Sequence, residues 1–136
     1  MKNILFVASE CVPFIKTGGL ADVVGSLPKC FDKTKYDVRV IIPKYMCMDE
    51  YWKNQLEYVN HFYMDLNWRR QYVGILKLEY EGVTFYFIDN EYYFSGPKPY
   101  GEMIYDLEKF AFFTRAALSA LPVIGYRPDI IHCHDW

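Results

Sequence analysis

The chain has 136 residues, 52 % of them apolar and 19 % aromatic, enough to build a packed core and to exclude a disordered tail. Its 15 basic and 17 acidic residues leave a formal net charge of −2, which argues against a nucleic-acid backbone or an anionic membrane as partner. The length fits one domain or part of a larger one.

The first apolar run, Ile4 to Ala8, is too short for the core of a signal peptide, and Glu10 follows almost at once. A strand buried on both faces of a parallel sheet explains it better. A loop from Ser9 to Gly19 follows. Leu20, Val23, Val24, Leu27 and Phe31 then recur at helical spacing, with Pro28 expected to kink or shorten the helix. Val38 to Ile42 is a second strand, stopped by Pro43. Strand, helix and strand in this order make a βαβ unit, which implies a parallel sheet.

The middle of the chain changes character. Tyr72–Tyr80 and Val83–Ile88 are β-branched and aromatic runs separated by Glu81-Gly82, the pattern of an antiparallel hairpin with a tight turn. Tyr58–Leu66 offers a third strand. Residues 90–105 are loop-like. Asp106 is expected to cap a helix whose apolar face is Leu107, Phe110, Ala111, Thr114, Ala117, Leu118 and Leu121. After Arg127-Pro128 comes a last strand, Asp129–Cys133, and the sequence ends at Trp136. No stretch is long enough to span a bilayer. Cys11, Cys30, Cys47 and Cys133 form no C-x-x-C pair and no zinc spacing; reduced, mostly buried cysteines in a cytosolic protein are expected.

Ligands of open α/β sheets bind beyond the carboxyl ends of the strands. Three segments leave such ends here: Lys16-Thr17-Gly18-Gly19, Asp89-Asn90 with the loop carrying Tyr100-Gly101, and His134-Asp135-Trp136. Gly18 and Gly19 precede a helix, where backbone N–H groups and the helix dipole favour an anion, and Lys16 adds a compact positive charge. The combination suits a phosphate or diphosphate but is neither a Walker loop nor G-x-G-x-x-G. Its alternative is a flexible turn beside a solvated lysine. His132 and His134 point to one face of a strand and suggest metal, yet no complete ligand set accompanies them. A buried, satisfied His132 with Asp135 and Trp136 facing a sugar fits better, since rings cover the apolar face of a polyol and carboxylates accept from its hydroxyls. Tyr92, Tyr93, Phe94 and Tyr100 are further candidates for such a ring, with ordinary core packing as the alternative for most of them.

The string KTGGLADVVGSLP, Lys16 to Pro28, resembles the N-terminal signature of ADP-glucose-dependent glycogen and starch synthases. DNEYYF followed by YG, Asp89 to Gly101, and PDIIHCHDW, Pro128 to Trp136, are similar to that family's second and third segments, in family order. The resemblance implies an α/β fold: the Rossmann-like N-terminal domain of a GT-B glycosyltransferase, a parallel sheet with an inserted antiparallel hairpin. It implies retaining transfer of glucose from ADP-glucose to the non-reducing end of an α-1,4-glucan in glycogen biosynthesis, with no metal or other cofactor. By position, Lys16, Gly18 and Gly19 match the loop near the donor phosphates. Asp135 matches an active-site aspartate, and Tyr100 and Trp136 match aromatics near the acceptor. The family's next histidine and its nucleotide-sugar-binding C-terminal domain lie beyond residue 136. Residues 1–136 are therefore expected to be a partial N-terminal domain, inactive alone. A truncated, non-catalytic glucan- or nucleotide-binding module remains the alternative.

Overall fold

A computed structural model describes residues 1–66 and 69–135. A six-stranded mixed sheet runs β3-β4-β5-β2-β1-β6, formed by β1 (Lys2–Val7), β2 (Tyr36–Pro43), β3 (Glu57–Leu66), β4 (Arg69–Tyr80), β5 (Val83–Asp89) and β6 (Ile130–Cys133). β1 pairs in parallel with both β2 and β6, and β2 with β5. The β3–β4 and β4–β5 pairs are antiparallel. The expected βαβ unit and hairpin are therefore both present in one sheet.

Alternation along the strands sends side chains to two separate cores. Leu5, Val7, Ile41, Val73, Ile75 and Ile88 face α3 (Met103–Ile124), which contributes Phe110, Phe113, Ala116, Ala117 and Ala120. Ile4, Phe6, Val38, Val40, Ile42, Phe85 and Phe87 face the other way, toward α1 (Gly19–Ser26) and its loop. Phe14 from that loop meets Phe85, Phe87, Tyr80 and Trp52 edge-on, with centroids 4.9–5.6 Å apart. Burial on both sides is why Ile4–Val7 of β1 and Val40–Ile42 of β2 are continuous apolar runs.

Pro28 acts as the sequence suggests: α1 stops at Ser26 and a 3₁₀ turn, Leu27–Cys30, takes over with the proline near its start. Glu81 (φ 49°) and Gly82 (φ 78°) both lie in the left-handed region, the signature of a two-residue hairpin turn. A short helix, α2 (Glu50–Lys53), capped by Asp49 accepting from the Tyr51 N–H, carries no hydrophobic periodicity that would have announced it.

Asp106 does not cap α3. The helix starts at Met103 with Glu102 at its cap position, because the Asp106 carboxylate reaches back to the N–H of Gly101 instead (3.0 and 3.1 Å). At the other end Gly125 turns left-handed (φ 67°) and Tyr126 N–H bonds the Leu121 carbonyl at 3.1 Å, a closing turn that glycine makes without strain. The buried Tyr126 hydroxyl then sits between the carbonyls of Ile4 (3.1 Å) and Asp37 (2.7 Å). β6 is pinned to β1 by Asn3, whose N–H bonds Asp129 at 2.8 Å and whose side chain donates to the Arg127 carbonyl at 2.9 Å. Ile130 and Ile131 remain exposed.

Gly25 is where α1 comes closest to its own loop. A Cβ there would stand 2.8 Å from the Val12 carbonyl oxygen and run into the Val12 side chain. Gly25→Ala is expected to lower stability by about 1–3 kcal/mol, the usual cost of overpacking. Gly19→Ala, where a Cβ would meet nothing within 4 Å, should leave it unchanged. Urea unfolding of the two variants checks this; equal midpoints would show that the Val12 segment yields.

Candidate functional site

The carboxyl ends of β1, β2, β5 and β6 share one edge of the sheet because all four strands are parallel. From β1 the chain passes to Ser9 and Glu10, both buried. Glu10 is only 2 % exposed, and its carboxylate accepts from the Thr17 N–H at 2.9 Å and the Thr17 hydroxyl at 2.5 Å. These bonds fold the glycine loop back over the end of β1. From β2, the buried Tyr45 hydroxyl donates to the Ser9 carbonyl at 2.6 Å, and burial pushes its ionisation far up. Lys44 Nζ lies 3.9 Å from Asp89 at the end of β5. Burial raises the Asp89 carboxyl, Lys44 lowers it and Glu91 raises it again.

Tyr100 is aimed by its neighbours. The buried Lys109 ammonium donates to the Pro99 carbonyl at 2.8 Å, and Asp106 holds the Gly101 N–H. Lys109 and Asp106 are themselves an ion pair at 3.4 Å. The residues on either side of Tyr100 are thus tied to α3, and its phenol meets Ser9 Oγ at 2.6 Å. Burial raises the phenol's pKa; the Ser9 and Thr17 hydroxyls lower it, while Glu10 and Asp135 act upward. Ser9, Glu10, Thr17, Tyr100 and Asp135 therefore form one neighbourhood contributed by three distant segments. Asp135 lies in the left-handed region (φ 57°), which aspartate tolerates better than most residues. Trp136 lies outside the described residues.

Lys16 adjoins this group through Thr17 but is held elsewhere: its ammonium pairs with Asp22 of α1 at 2.8 Å, both side chains being about half exposed (51 % and 53 %). Such a surface pair contributes only about 0–1 kcal/mol, so an anion competes for the lysine at little cost. A Cβ on Gly18 would meet only Glu10 Oε1, at 3.9 Å, and Gly18 itself is in ordinary extended backbone (φ −162°). Nothing in the packing demands either glycine of the pair, and the surface over the start of α1 is open. The Glu10 carboxylate beneath the loop repels an anion from that side, which leaves the Lys16–Gly19 side for one. A cavity of about 360 Å³ opens beside Tyr100, between the loop and α3, lined by Tyr92, Tyr93, Tyr105 and Glu102 among others.

The profile of the starch synthase catalytic domain matches residues 3–136. This chain belongs to that family. It is 68 % identical over 136 residues to a glycogen synthase of Lachnospira eligens and 64 % identical over the same length to one of Lachnoclostridium phytofermentans. It covers 100 % of itself and 28 % of each relative in both alignments. The catalytic domain of starch synthase IV from Arabidopsis thaliana, bound to ADP and acarbose, aligns over 99 % of this chain and 28 % of its own, with a TM-score of 0.80 at 33 % identity. The chain thus spans little more than a quarter of the length of these relatives. Its fold is the Rossmann-like sheet of the starch synthase catalytic domain, a GT-B glycosyltransferase fold, with the inserted hairpin.

Of the residues the sequence singles out, Tyr100 and Asp135 lie in this neighbourhood and Lys16, Gly18 and Gly19 adjoin it through Thr17; Ser9 and Glu10, which sequence reasoning gave no role of their own, lie at its centre. The signal for Glu10 was present: an acid directly after a buried strand, at its carboxyl end, where ligands of such sheets bind. Tyr93 and Phe94 are core residues packed on Phe112, as their alternative reading had it, whereas Tyr92 is exposed. The expectation for His132 is corrected: it is exposed on the edge strand, and it is His134 whose Nε2 is buried without a partner among the described residues. Both rings lie against Phe6, 4.4 Å from each other. Among the described residues no group of three or more His, Cys, Asp or Glu gathers with metal-binding geometry. The cysteines are also corrected: all four are free, but only Cys11 is buried, its thiol pushed up to about 12 by burial; Cys30 and Cys133 are exposed.

Two stability predictions follow from this geometry. Asp106→Ala leaves the buried Lys109 ammonium without its counter-charge and should cost about 3–5 kcal/mol; an unchanged urea midpoint would show that the Tyr100 loop is held by other means. His134 is made less basic by burial first and by His132 second, with Asp135 opposing. Below about pH 6.5 the unfolded chain binds more protons there than the folded one. The stability of the neutral ring is therefore present above that pH and is lost as pH falls through the lowered folded value. Unfolding at about pH 7.5 and about pH 5.5 should show that loss, and His134→Gln should reduce it; an equal loss in the variant would assign it to other groups.

Proposed function

We propose that this chain forms the acceptor-side wall of a cytoplasmic glucosyltransferase cleft. The enzyme moves glucose from ADP-glucose to the non-reducing end of an α-1,4-glucan, glycogen, with retention. The observation that carries the reading is the meeting of the three family-like segments at one sheet edge: the Glu10–Thr17 and Ser9–Tyr100 bonds join the first two, and the pairing of β6 with β1, continued by His134 N–H on the Val7 carbonyl, brings in the third. In the transfer, the bond from the glucose C1 to the diphosphate breaks and a bond from C1 to the acceptor's O4 forms. The acceptor's hydroxyl proton leaves with ADP.

Each residue has a place in that reaction. Lys16 exchanges Asp22 for the donor's diphosphate and neutralises charge as it develops on the leaving group. Gly18 and Gly19 let backbone N–H groups approach the same phosphates. Asp135 accepts from a sugar hydroxyl and steadies positive charge at C1. Tyr100 and Trp136 cover the acceptor's apolar face. The opposite wall, a nucleotide-sugar-binding domain, belongs to the part of the relatives' length that this chain does not span. Transfer needs donor and acceptor held in one geometry, so the 136 residues alone are inactive in this reading.

The test is incorporation of labelled glucose from ADP-glucose into glycogen by the full-length synthase carrying this segment. Lys16→Ala should lower kcat/KM by about 10²-fold. Asp135→Asn should lower kcat comparably with no change in melting temperature. Wild-type rates in both variants would remove these residues from the site. Turnover by the isolated 136 residues would overturn the two-walled cleft, and glycogen binding without any turnover by the full-length protein would favour a non-catalytic module.

A further inference from the structure

Ser9, Glu10 and Tyr45 are almost wholly buried beyond the end of β1, and the reaction proposed for this edge uses none of them. They meet at a single peptide group. The Ser9 hydroxyl bonds the Tyr100 phenol at 2.6 Å, and the Glu10 carboxylate, on the next residue, holds the N–H and hydroxyl of Thr17. The carbonyl of the peptide between them accepts from the Tyr45 hydroxyl at 2.6 Å. A peptide group is planar and stiff, so the roots of these two arms are fixed relative to each other. Tyr45 is held in turn by the end of β5: Lys44 N–H bonds the Ile88 carbonyl, Met46 N–H bonds the Phe94 carbonyl (both 2.8 Å), and the Tyr45 ring meets Phe94 edge-on at 5.7 Å. Against the upward pull of burial, the Ser9 and Thr17 hydroxyls both lower the Tyr100 pKa, so the tips of the two arms also lie near each other.

Resting on the reading of this edge as a glucosyltransferase cleft, we propose that Glu10 and Tyr45, acting through Thr17 and Ser9, are positioning residues of the transfer: they form a bracket that sets the donor loop Lys16–Gly19 against the acceptor ring of Tyr100. The two sides need such a bracket because they belong to different layers. The loop leads into α1 on one face of the sheet, whereas Tyr100 is tied to α3 on the other. Transfer requires the reacting atoms within about 3–3.5 Å, so play between the layers is play between donor and acceptor. The loop itself is anchored on either side of Thr17. Cys11 and Ile15 exchange backbone bonds at 3.0 Å, and Val12 N–H bonds the Ala21 carbonyl of α1 at 3.0 Å. Residues 16–18 span these anchors, and Thr17 ties the middle of the span to Glu10. A carboxylate is a costly choice for a purely structural tie. Among the described residues no cation pairs with Glu10, and Lys16 pairs with Asp22 instead. What the charge adds is a stronger bond than a neutral acceptor makes, one that holds the loop in place while a ligand pulls on Lys16.

The experiment uses the full-length synthase well below each variant's melting temperature. Calorimetry gives the affinity for ADP and for maltotriose, and transfer from ADP-glucose to glycogen is measured per ADP-binding site, so that misfolded protein does not count. Tyr45→Phe removes one hydroxyl that touches neither ligand. It should lower kcat about tenfold while both affinities stay within about twofold of wild type. Thr17→Val should weaken ADP binding about tenfold, and Thr17→Ser should restore it. Glu10→Gln should match Thr17→Val, and the two together should lose no more than either alone, since both act on one contact. Wild-type kcat per site in Tyr45→Phe overturns the bracket and leaves the enzymatic reading standing. So do additive losses in the double variant, or a serine variant as weak as the valine one. Thr17-dependent ADP binding in a wild-type protein that transfers no glucose would uphold the hold on the loop and defeat the enzymatic reading instead.

Discussion

β1 is hydrogen-bonded on both sides and, from Ile4 to Val7, covered on both faces, so no polar side chain has room along that stretch. Leu5, Phe6 and Ala8 are almost wholly enclosed. The polar residues that follow therefore gather where the strand ends. Ser9 and Glu10 are buried there not by the sheet but by what folds over it: Thr17 from the glycine loop, Tyr45 from the end of β2 and Tyr100 from the loop before α3. A buried carboxylate without partners is costly, and the two bonds from Thr17 are what make Glu10 tolerable. In satisfying one acid, the chain also fixes the position of Lys16, Gly18 and Gly19. The shape of the glycine loop is thus a by-product of partnering Glu10.

Much of this was legible in the residues. The apolar runs at Ile4 and Val38, the Glu81-Gly82 turn and the Pro28 break each have one local cause, and each appears where that cause predicts. The failures share a different cause. Asp106 looks like a cap by its type and place, but capping is decided by which N–H lies nearest, and that N–H belongs to Gly101 in a loop of no regular pattern. His132 and His134 alternate with Cys133 as a strand requires, yet both rings pack on Phe6 of a strand well over a hundred residues earlier, and which of them is covered is not written in their local spacing. Ser9 and Glu10 were given no role of their own because their bonds arise between segments and neither is unusual on its own.

The hairpin shows the same limit in a milder form. Its strands were readable from β-branched and aromatic content, but their rings could equally have been core. The two faces are separated by the registry of β3 on β4, where Tyr63 faces Tyr72 and Phe62 faces Val73. A slip of one residue would have exchanged the exposed row for the buried one.

Tyr100 and Ser9 belong to different mechanical bodies. The phenol is tethered through Pro99 and Gly101 to Lys109 and Asp106 on the helical layer, while the serine follows closely on β1 of the sheet. Their 2.6 Å contact is the place where the two layers gauge each other. A slide of α3 along the sheet carries the phenol with it, and a hydrogen bond of that length has little slack. The position of the Tyr100 ring at the sheet edge is therefore set by how a helix rests on its sheet.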